Sequence, residues 1–277
     1  MRKARGEGEW NSPEGYFALE GDHFLWELWR GGAPVWEALD RLGDLIRSNI
    51  RPNVSSLRAS GSLVREDSAI VGREIVLGAS CSFEGGRLKV EKSGRLLEGA
   101  AMVLAGAYLA DDLIEIGPGA LVETGAMIKG PTMIGAGTEV RQGAYVRGSV
   151  LSLEGCVIGH ATEAKNALLL KGAKAGHFAY LGDSILGSEV NLGAGTKLAN
   201  LKILNSPFRF EVGGAVETLD RRKLGAILGD GVQTGCNSVT SPGVLLGPGS
   251  MVLPNATVKG GWYGRRSVIK PAFGSKA

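Results

Sequence analysis

The fold class this sequence predicts is mostly β, wound as a solenoid, and three observations predict it. Ile116, Val122, Ile128, Ile134, Val140 and Val146 fall six residues apart, a step that matches neither the 3.6 of a helix nor the two of a strand. Four residues after each stands a small or β-branched residue: Ala120, Ala126, Thr132, Thr138, Ala144 and Val150. Glycine counts 44 of 277 residues, about twice its usual ~7% share, as short strands joined by tight corners with positive φ require. A fixed step with one inward aliphatic and one inward small residue signals coils stacked side against side.

Residues 1–60 lack that step. Val35, Trp36, Leu39, Leu42, Leu45, Ile46 and Ile50 recur there at helical spacing, and Pro34 suits a first helical turn. Trp26, Trp29 and Trp36 share the segment. We read it as a small α-helical N-terminal cap covering the open end of the solenoid, with a ligand platform as the competing reading of the aromatic stripe. The solenoid is expected over residues 61–262, loosely at first, with a hairpin-like stretch at GGRLKVEKSGRLLEG. The regular register holds from Ile114. Ile158 lies two steps after Val146, with Ser152 between, and Leu181, Leu186, Leu192 and Leu198 continue it with one five-residue step. Residues 202–223 break the pattern and predict an inserted loop, of a length that is usually functional. The step resumes at Leu228, Thr234, Thr240, Leu246, Val252 and Val258, and residues 263–277 form a basic C-terminal tail. Three hexads would complete one triangular turn of about 18 residues.

Composition excludes several classes. The chain carries 31 basic and 28 acidic residues, a net charge of +3, which does not suggest a nucleic-acid partner. Cys81, Cys156 and Cys236 are far apart and form no C-x-x-C, so reduced thiols in a cytoplasmic protein are expected. The opening MRKARGEGEWNSPEG has no apolar core for a signal peptide, and no run is long enough for a membrane span. The histidines are His23, His160 and His177; with His23 outside the repeats and no His-x-x-x-x-His pair, no catalytic metal is expected.

Residues 159–200 break the bland repeat with His160, Glu163, Lys165, Asn166, His177, Tyr180, Asp183 and Asn191. Such groups on a rigid β scaffold suit acid–base work and substrate orientation. A histidine there can take the proton of an amine attacking a carbonyl. Asp183 reads as a corner former, and His160 as a lining residue.

KNALLLKGAKAGHFAYLGDSILGSEVNLGAGT resembles the hexapeptide-repeat acyltransferases. It is closest to the acetyltransferase domain of the bifunctional enzymes that acetylate glucosamine 1-phosphate and then uridylylate it. The similarity runs from about Ile116 to Val258 and is strongest from Glu163 to Thr196. It implies a single-stranded left-handed parallel β-helix, the hand being the family's, since parallel crossovers are otherwise right-handed. It also implies homotrimers with ligands between subunits, and acetyl-CoA as co-substrate. By the same resemblance His177 is the base, Asn191 helps position the amine, and Tyr180, Arg147, Glu163, Lys165 and Lys223 line the sugar-phosphate pocket. Ala194, Cys236 and Pro254 lie where the family holds the pantetheine arm. Arg265, with Arg266, is a candidate grip for the 3′-phosphate of CoA.

The chain departs from the family at R-G-S (Arg147, Gly148, Ser149), where the family has R-P-G, and at LANLK, where it has C-N-Y-D-G. Asn200 is kept; Leu201 replaces the tyrosine. No glycine-rich L-x-x-G-x-G-x-R loop stands near the start, so uridylyl transfer is not expected. The expected activity is acetyl-CoA-dependent N-acetylation of an amino-sugar phosphate or a nucleotide-linked amino sugar, with no covalent acyl-enzyme on Cys236. Two alternatives stand beside it: an acyltransferase fed by acyl carrier protein, and a non-catalytic sugar-nucleotide-binding or regulatory solenoid.

Overall fold

A computed structural model describes residues 10–19, 24–59 and 61–272; His23 lies outside them. The repeats build a parallel β-solenoid with three walls. Wall one stacks Ala101–Val103, Leu121–Val122, Glu139–Val140, Val157–His160, Lys174–His177, Asn191–Leu192, Gln233–Thr234, Met251–Val252 and Val268–Ile269. Wall two runs from Tyr108–Leu109 through Met127–Lys129 and Tyr145–Arg147 to Thr257–Val258, and wall three from Ile114–Ile116 to Gly261–Tyr263. The strands Glu163–Leu169 and Tyr180–Leu186 serve walls two and three in turn, rounding the corner without a break.

The hexad residues point inward, as their spacing predicts. Ile116, Val122, Ile128, Ile134, Val140, Val146 and Ile158 share one interior core with Leu181, Leu198, Leu228 and Val258. The interior threonines satisfy their hydroxyls on the main chain where they can: Thr138 donates to the Leu153 carbonyl at 3.0 Å. Leu121, Glu139 and Val157 pair in succession at steps of 18 residues, but Val157, Lys174 and Asn191 at steps of 17. The shorter coils have a local cause. At the corner between walls two and three a single left-handed residue, Asn166 (φ 47°) or Asp183 (φ 46°), turns the strand, and Asn and Asp tolerate that conformation best after glycine.

At the same corner one coil later the chain leaves the solenoid. Asn191 pairs with Gln233, a step of 42, so the insertion is accommodated without loss of register. Its two ends are pinned: Leu224 N–H donates to the Asn200 carbonyl at 3.0 Å and Gly225 N–H to the Asp183 carbonyl at 2.9 Å. The inserted segment is not an irregular loop. It contains an antiparallel hairpin, Phe208–Val212 with Ala215–Leu219, turned at Gly213 (φ 57°) and Gly214 (φ 82°), as a type I′ turn requires.

The N-terminal helical segment corrects one expectation. Its α-helix and aromatic stripe do not cover the open end; they lie along the outside of wall three, and only Val54 and Leu57 at the segment's end reach the opening. Helix α1 (Ala38–Asn49) packs against Val150–Ser152, Glu163–Leu169 and Tyr180–Leu186. The approach is close enough that a Cβ on Gly43 would come within 3.1 Å of Ser149 Oγ. The physical reason is in the outward residues of that wall. Leu151, Leu168, Ile185, Ile227 and Leu245 form an apolar ladder, buried under Leu28, Trp36, Leu39, Leu42 and the hairpin's Phe208 and Phe210. Each such side chain contributes roughly 1.5–3 kcal/mol when covered. Trp36 stacks on Phe210 at 5.7 Å and 7°, and Arg221 bonds Asp40 at 2.6 Å, so cap and insertion close over the wall together. The open N-terminal end is plugged instead by Val54, Leu57, Val64 and Ile70, with Ser68–Val71 running antiparallel to Ala101–Val103. The GGRLKVEKSGRLLEG stretch lies in a small antiparallel sheet, Ser80–Glu84, Arg87–Lys92 and Arg95–Leu96.

Candidate active site

The edge where wall one turns into wall two is a column of corners. Gln142, His160, His177, Ala194 and Cys236 occupy successive levels. The residue after each next corner has positive φ: Ala161, Phe178, Gly195, Asn237 and Asn255. Its N–H donates to the carbonyl one level below: Ala161 to Gln142 (3.2 Å), Phe178 to His160 (2.8 Å), Gly195 to His177 (3.0 Å), Asn237 to Ala194 (2.8 Å) and Asn255 to Cys236 (2.9 Å). Pro254, the residue before Asn255, therefore caps the same column. His177, Ala194, Cys236 and Pro254 share one straight edge, rising ~4.8 Å per level.

His177 is exposed, and among the described residues its ring makes no hydrogen bond. His160, its register neighbour, is tied down: Nδ1 lies 2.9 Å from the Gln142 carbonyl, the arrangement of an N–H donated to that oxygen, and its ring meets Phe178 edge-on at 5.2 Å. The main-chain N–H groups of Ala194 and Cys236 have no acceptor among the described residues. Unpaired donors on an exposed edge are available to a ligand carbonyl.

Wall two, next to this edge, carries the charged groups. Arg147 Nη1 bonds Glu163 Oε1 at 2.6 Å, a half-exposed pair worth at most about 1 kcal/mol, and the carboxylate's hydrogen bond raises the arginine's pKa. Arg147 and Lys129 lie over the Tyr145 ring at 5.7 and 5.2 Å, and Lys129 Nζ donates to the Tyr145 hydroxyl at 2.9 Å. Lys129, Arg147 and Lys165 stand in one outward column, in line with Gly182. The Lys165 ammonium has no partner among the described residues, nor has that of Lys223, which is bridged through its main chain to Leu201 at the insertion's base.

Tyr180 stands at the foot of a polar network. Its hydroxyl donates to Asn200 Oδ1 at 3.4 Å. Asn200 Nδ2 donates to Asp183 Oδ2 at 2.5 Å, and Asn166 Nδ2 to Asp183 Oδ1 at 2.9 Å. Burial pushes the Tyr180 phenol's pKa up, and the Glu163 and Asp183 charges add to the shift. Gly182 allows the assembly: a Cβ there would meet the Tyr180 hydroxyl at 2.5 Å and Asn200 Nδ2 at 2.6 Å. Asp183 is thus a corner former and also a buried carboxylate, 7% exposed and held by two amides.

The sequence-derived residues therefore fall into two groups. His177, Ala194, Cys236 and Pro254 lie on the edge, with Tyr180, Arg147, Glu163 and Lys165 on the adjoining wall. Asn191 pairs with Lys174, three residues before His177 on wall one, ~10 Å along the strand direction at 3.3 Å per residue. Arg265 follows Gly261–Tyr263 of wall three and precedes Val268–Ile269 of wall one, so it sits on a different edge from Pro254. Lys129 and Tyr145 were not singled out from sequence, although Lys129 precedes Arg147 by one 18-residue coil. Among the described residues no group of three or more His, Cys, Asp or Glu is placed to hold a metal ion, and no helix is long and apolar enough to cross a membrane.

No family model matches the chain. Individual proteins do. A bifunctional sugar-1-phosphate nucleotidylyltransferase/acetyltransferase of Sulfurisphaera tokodaii is 37% identical over 155 residues, 50% of this chain and 39% of the relative. The bifunctional protein GlmU of Methanococcus vannielii is 36% identical over 115 residues, 42% of this chain and 28% of the relative. That of Methanocaldococcus jannaschii is 37% identical over 105 residues, 38% and 25% respectively. The matched part of the chain thus spans less than half the length of these curated relatives. Homology to sugar-phosphate nucleotidylyltransferase/acetyltransferases and a parallel β-solenoid agree with a hexapeptide-repeat acyltransferase.

Proposed function

We propose that this chain is an acetyl-CoA-dependent N-acetyltransferase acting on the amine of an amino-sugar phosphate similar to glucosamine 1-phosphate. The observation that carries it is the straight edge of His177, Ala194 and Cys236 beside a wall bearing Arg147 and Lys165.

The acetyl thioester lies along the edge, its carbonyl oxygen near the unpaired N–H of Ala194 or Cys236. The sugar lies on wall two with its phosphate toward Arg147 and Lys165, and Lys223 closes that side from the insertion. The amine attacks the thioester carbonyl; a C–N bond forms and the C–S bond breaks. His177 takes the proton lost by the amine and returns it to the departing thiolate, leaving an amide and free CoA thiol. One main-chain donor on the developing oxyanion is worth about 2.7–4 kcal/mol in other enzymes. Tyr180, held by Asn200, faces the sugar, and Asn191 is assigned to a ligand reached from across wall one or from a neighbouring subunit. We propose a homotrimer, in which two subunits form the cleft, and a cytoplasmic setting where acetyl-CoA is at hand. Cys236 contributes its main chain, not its thiol.

The test follows release of CoA thiol from acetyl-CoA with a panel of amino-sugar phosphates. Release is expected with at least one of them, and His177→Ala is expected to slow it by about 10²–10⁴-fold with the fold intact by circular dichroism. Silence with every amine removes the acetyl-transfer reading; a loss below tenfold removes His177 as the base.

A further inference from the structure

The charged column of wall two does not end at Lys165. Beyond Gly182 the same face continues through Ala199 and Ser241, and there the inserted segment folds over it. Between them is a pocket of about 560 Å³, within the ~300–1,000 Å³ range of small-molecule sites. Leu201, Leu204, Val239 and Pro242 give it apolar walls, while Ser206 and Ser241 put hydroxyls at its margin. Leu201 is 45% and Leu204 77% exposed, and neighbouring Ile203 is fully so. Lys202 is not available to a ligand, because its Nζ is bonded to the Pro207 carbonyl at 2.6 Å and lies over the Phe208 ring at 4.7 Å.

We infer that this pocket binds the nucleoside of a nucleoside-diphosphate-linked amino sugar, which is then the acceptor in place of a bare sugar 1-phosphate. The inference rests on the acetyl-transfer reading above and names its substrate class. A sugar 1-phosphate reaching Arg147 and Lys165 stops short of the pocket and leaves its apolar walls unoccupied. From the Lys165 level to the Ser241 level is three strand steps, ~14 Å at 4.8 Å each, comparable to the span from base to second phosphate in an extended nucleoside diphosphate. The charges agree. Arg147 is shared with Glu163, but Lys165 and Lys223 have no anionic partner among the described residues, and two free ammonium groups suit two phosphates. A base has apolar faces and a polar rim, as the pocket's leucine walls and serine margin require.

Two measurements on the full chain test this. Titration calorimetry with UDP, dTDP, GDP and ADP is expected to find at least one binding tenfold or more tighter than inorganic pyrophosphate, which carries the charge without the nucleoside. Acetyl transfer is expected to favour the matching nucleotide-linked amino sugar over the amino sugar 1-phosphate at least tenfold in kcat/KM. Val239→Trp, which fills the pocket, is expected to lower that preference at least fivefold. Leu204→Asp does so by repulsion from an exposed position that folding tolerates. If no nucleotide outbinds pyrophosphate, or the 1-phosphate is used equally well or better, the nucleoside pocket is overturned and acetyl transfer stands. If a nucleoside diphosphate binds tightly and both variants weaken it, yet no amine is acetylated, the pocket stands and the acetyl-transfer reading falls.

Discussion

Walls two and three share two continuous strands, Glu163–Leu169 and Tyr180–Leu186, yet their outer surfaces are opposite in chemistry. On wall two the outward positions are Tyr145, Arg147, Glu163, Lys165 and Tyr180, all at least partly open to solvent. On wall three, where α1 and the hairpin cover it, they are Leu151, Leu168, Ile185, Ile227 and Leu245, and none is more than 1% exposed. The inward residues of both walls are the same small set of aliphatics and threonines. The repeat thus builds a scaffold indifferent to what it presents, and the outward residue alone decides whether a wall recruits a cover or meets ligands.

Substitutions on the two walls should separate stability from activity. The largest effect on stability is expected on the covered wall: Ile185→Ala removes a fully buried side chain between the solenoid and α1 and should cost about 2–5 kcal/mol in denaturant melts. Lys165→Met on the open wall should leave the melt within about 0.5 kcal/mol and instead raise the KM for a phosphorylated acceptor. If both variants lose stability alike, the distinction between the walls is wrong.

Interior chemistry sharpens the comparison. Burial pushes the Cys156 thiol up to about 12 from its usual 9. Its folded value is the higher one, so its contribution to stability is whole below pH 9 and is lost as pH climbs toward 12. Three units correspond to roughly 4 kcal/mol at most. Cys156→Ala should therefore flatten the loss of stability between pH 9 and 12. In native protein at pH 8 a thiol reagent should modify exposed Cys236 and spare Cys156. A smaller interior effect belongs to Thr240, whose hydroxyl is buried without a hydrogen-bond partner among the described residues. Thr240→Val should stabilise the chain by about 1 kcal/mol, since an unpaired buried hydroxyl costs ~1–3 kcal/mol; a destabilised variant would mean the hydroxyl is satisfied after all.

Much of the scaffold was legible. The six-residue step located the inward residues, and the five-residue step from Leu181 to Leu186 marked a shortened corner whose cause, a lone left-handed Asp183, only the backbone reveals. The covered wall also has a signature in the sequence. Leu168–Leu169, Ile185–Leu186, Ile227–Leu228 and Leu245–Leu246 are apolar doublets, and in a strand that alternates inward and outward a doublet means both faces are buried. The hairpin of the insertion was likewise written in FRFEV-GG-AVETL, alternation on either side of a Gly-Gly turn. For the candidate site, it was the family resemblance, not the repeat, that pointed to Arg147, Lys165 and His177. The distance between Asn191 and His177 did not follow from their closeness in sequence, because it depends on which end of a wall-one strand each occupies.

The pinned corner at which the insertion leaves and rejoins the solenoid has a wider consequence. Because Asn200 and Asp183 bind the returning strand at Leu224 and Gly225, coils above and below meet as though nothing lay between them. Lengthening a closed excursion costs little, about 0.6 kcal/mol per doubling. The arm can therefore be exchanged as a cassette, with new specificity acquired at one vertex and the edge of His177, Ala194 and Cys236 left unaltered.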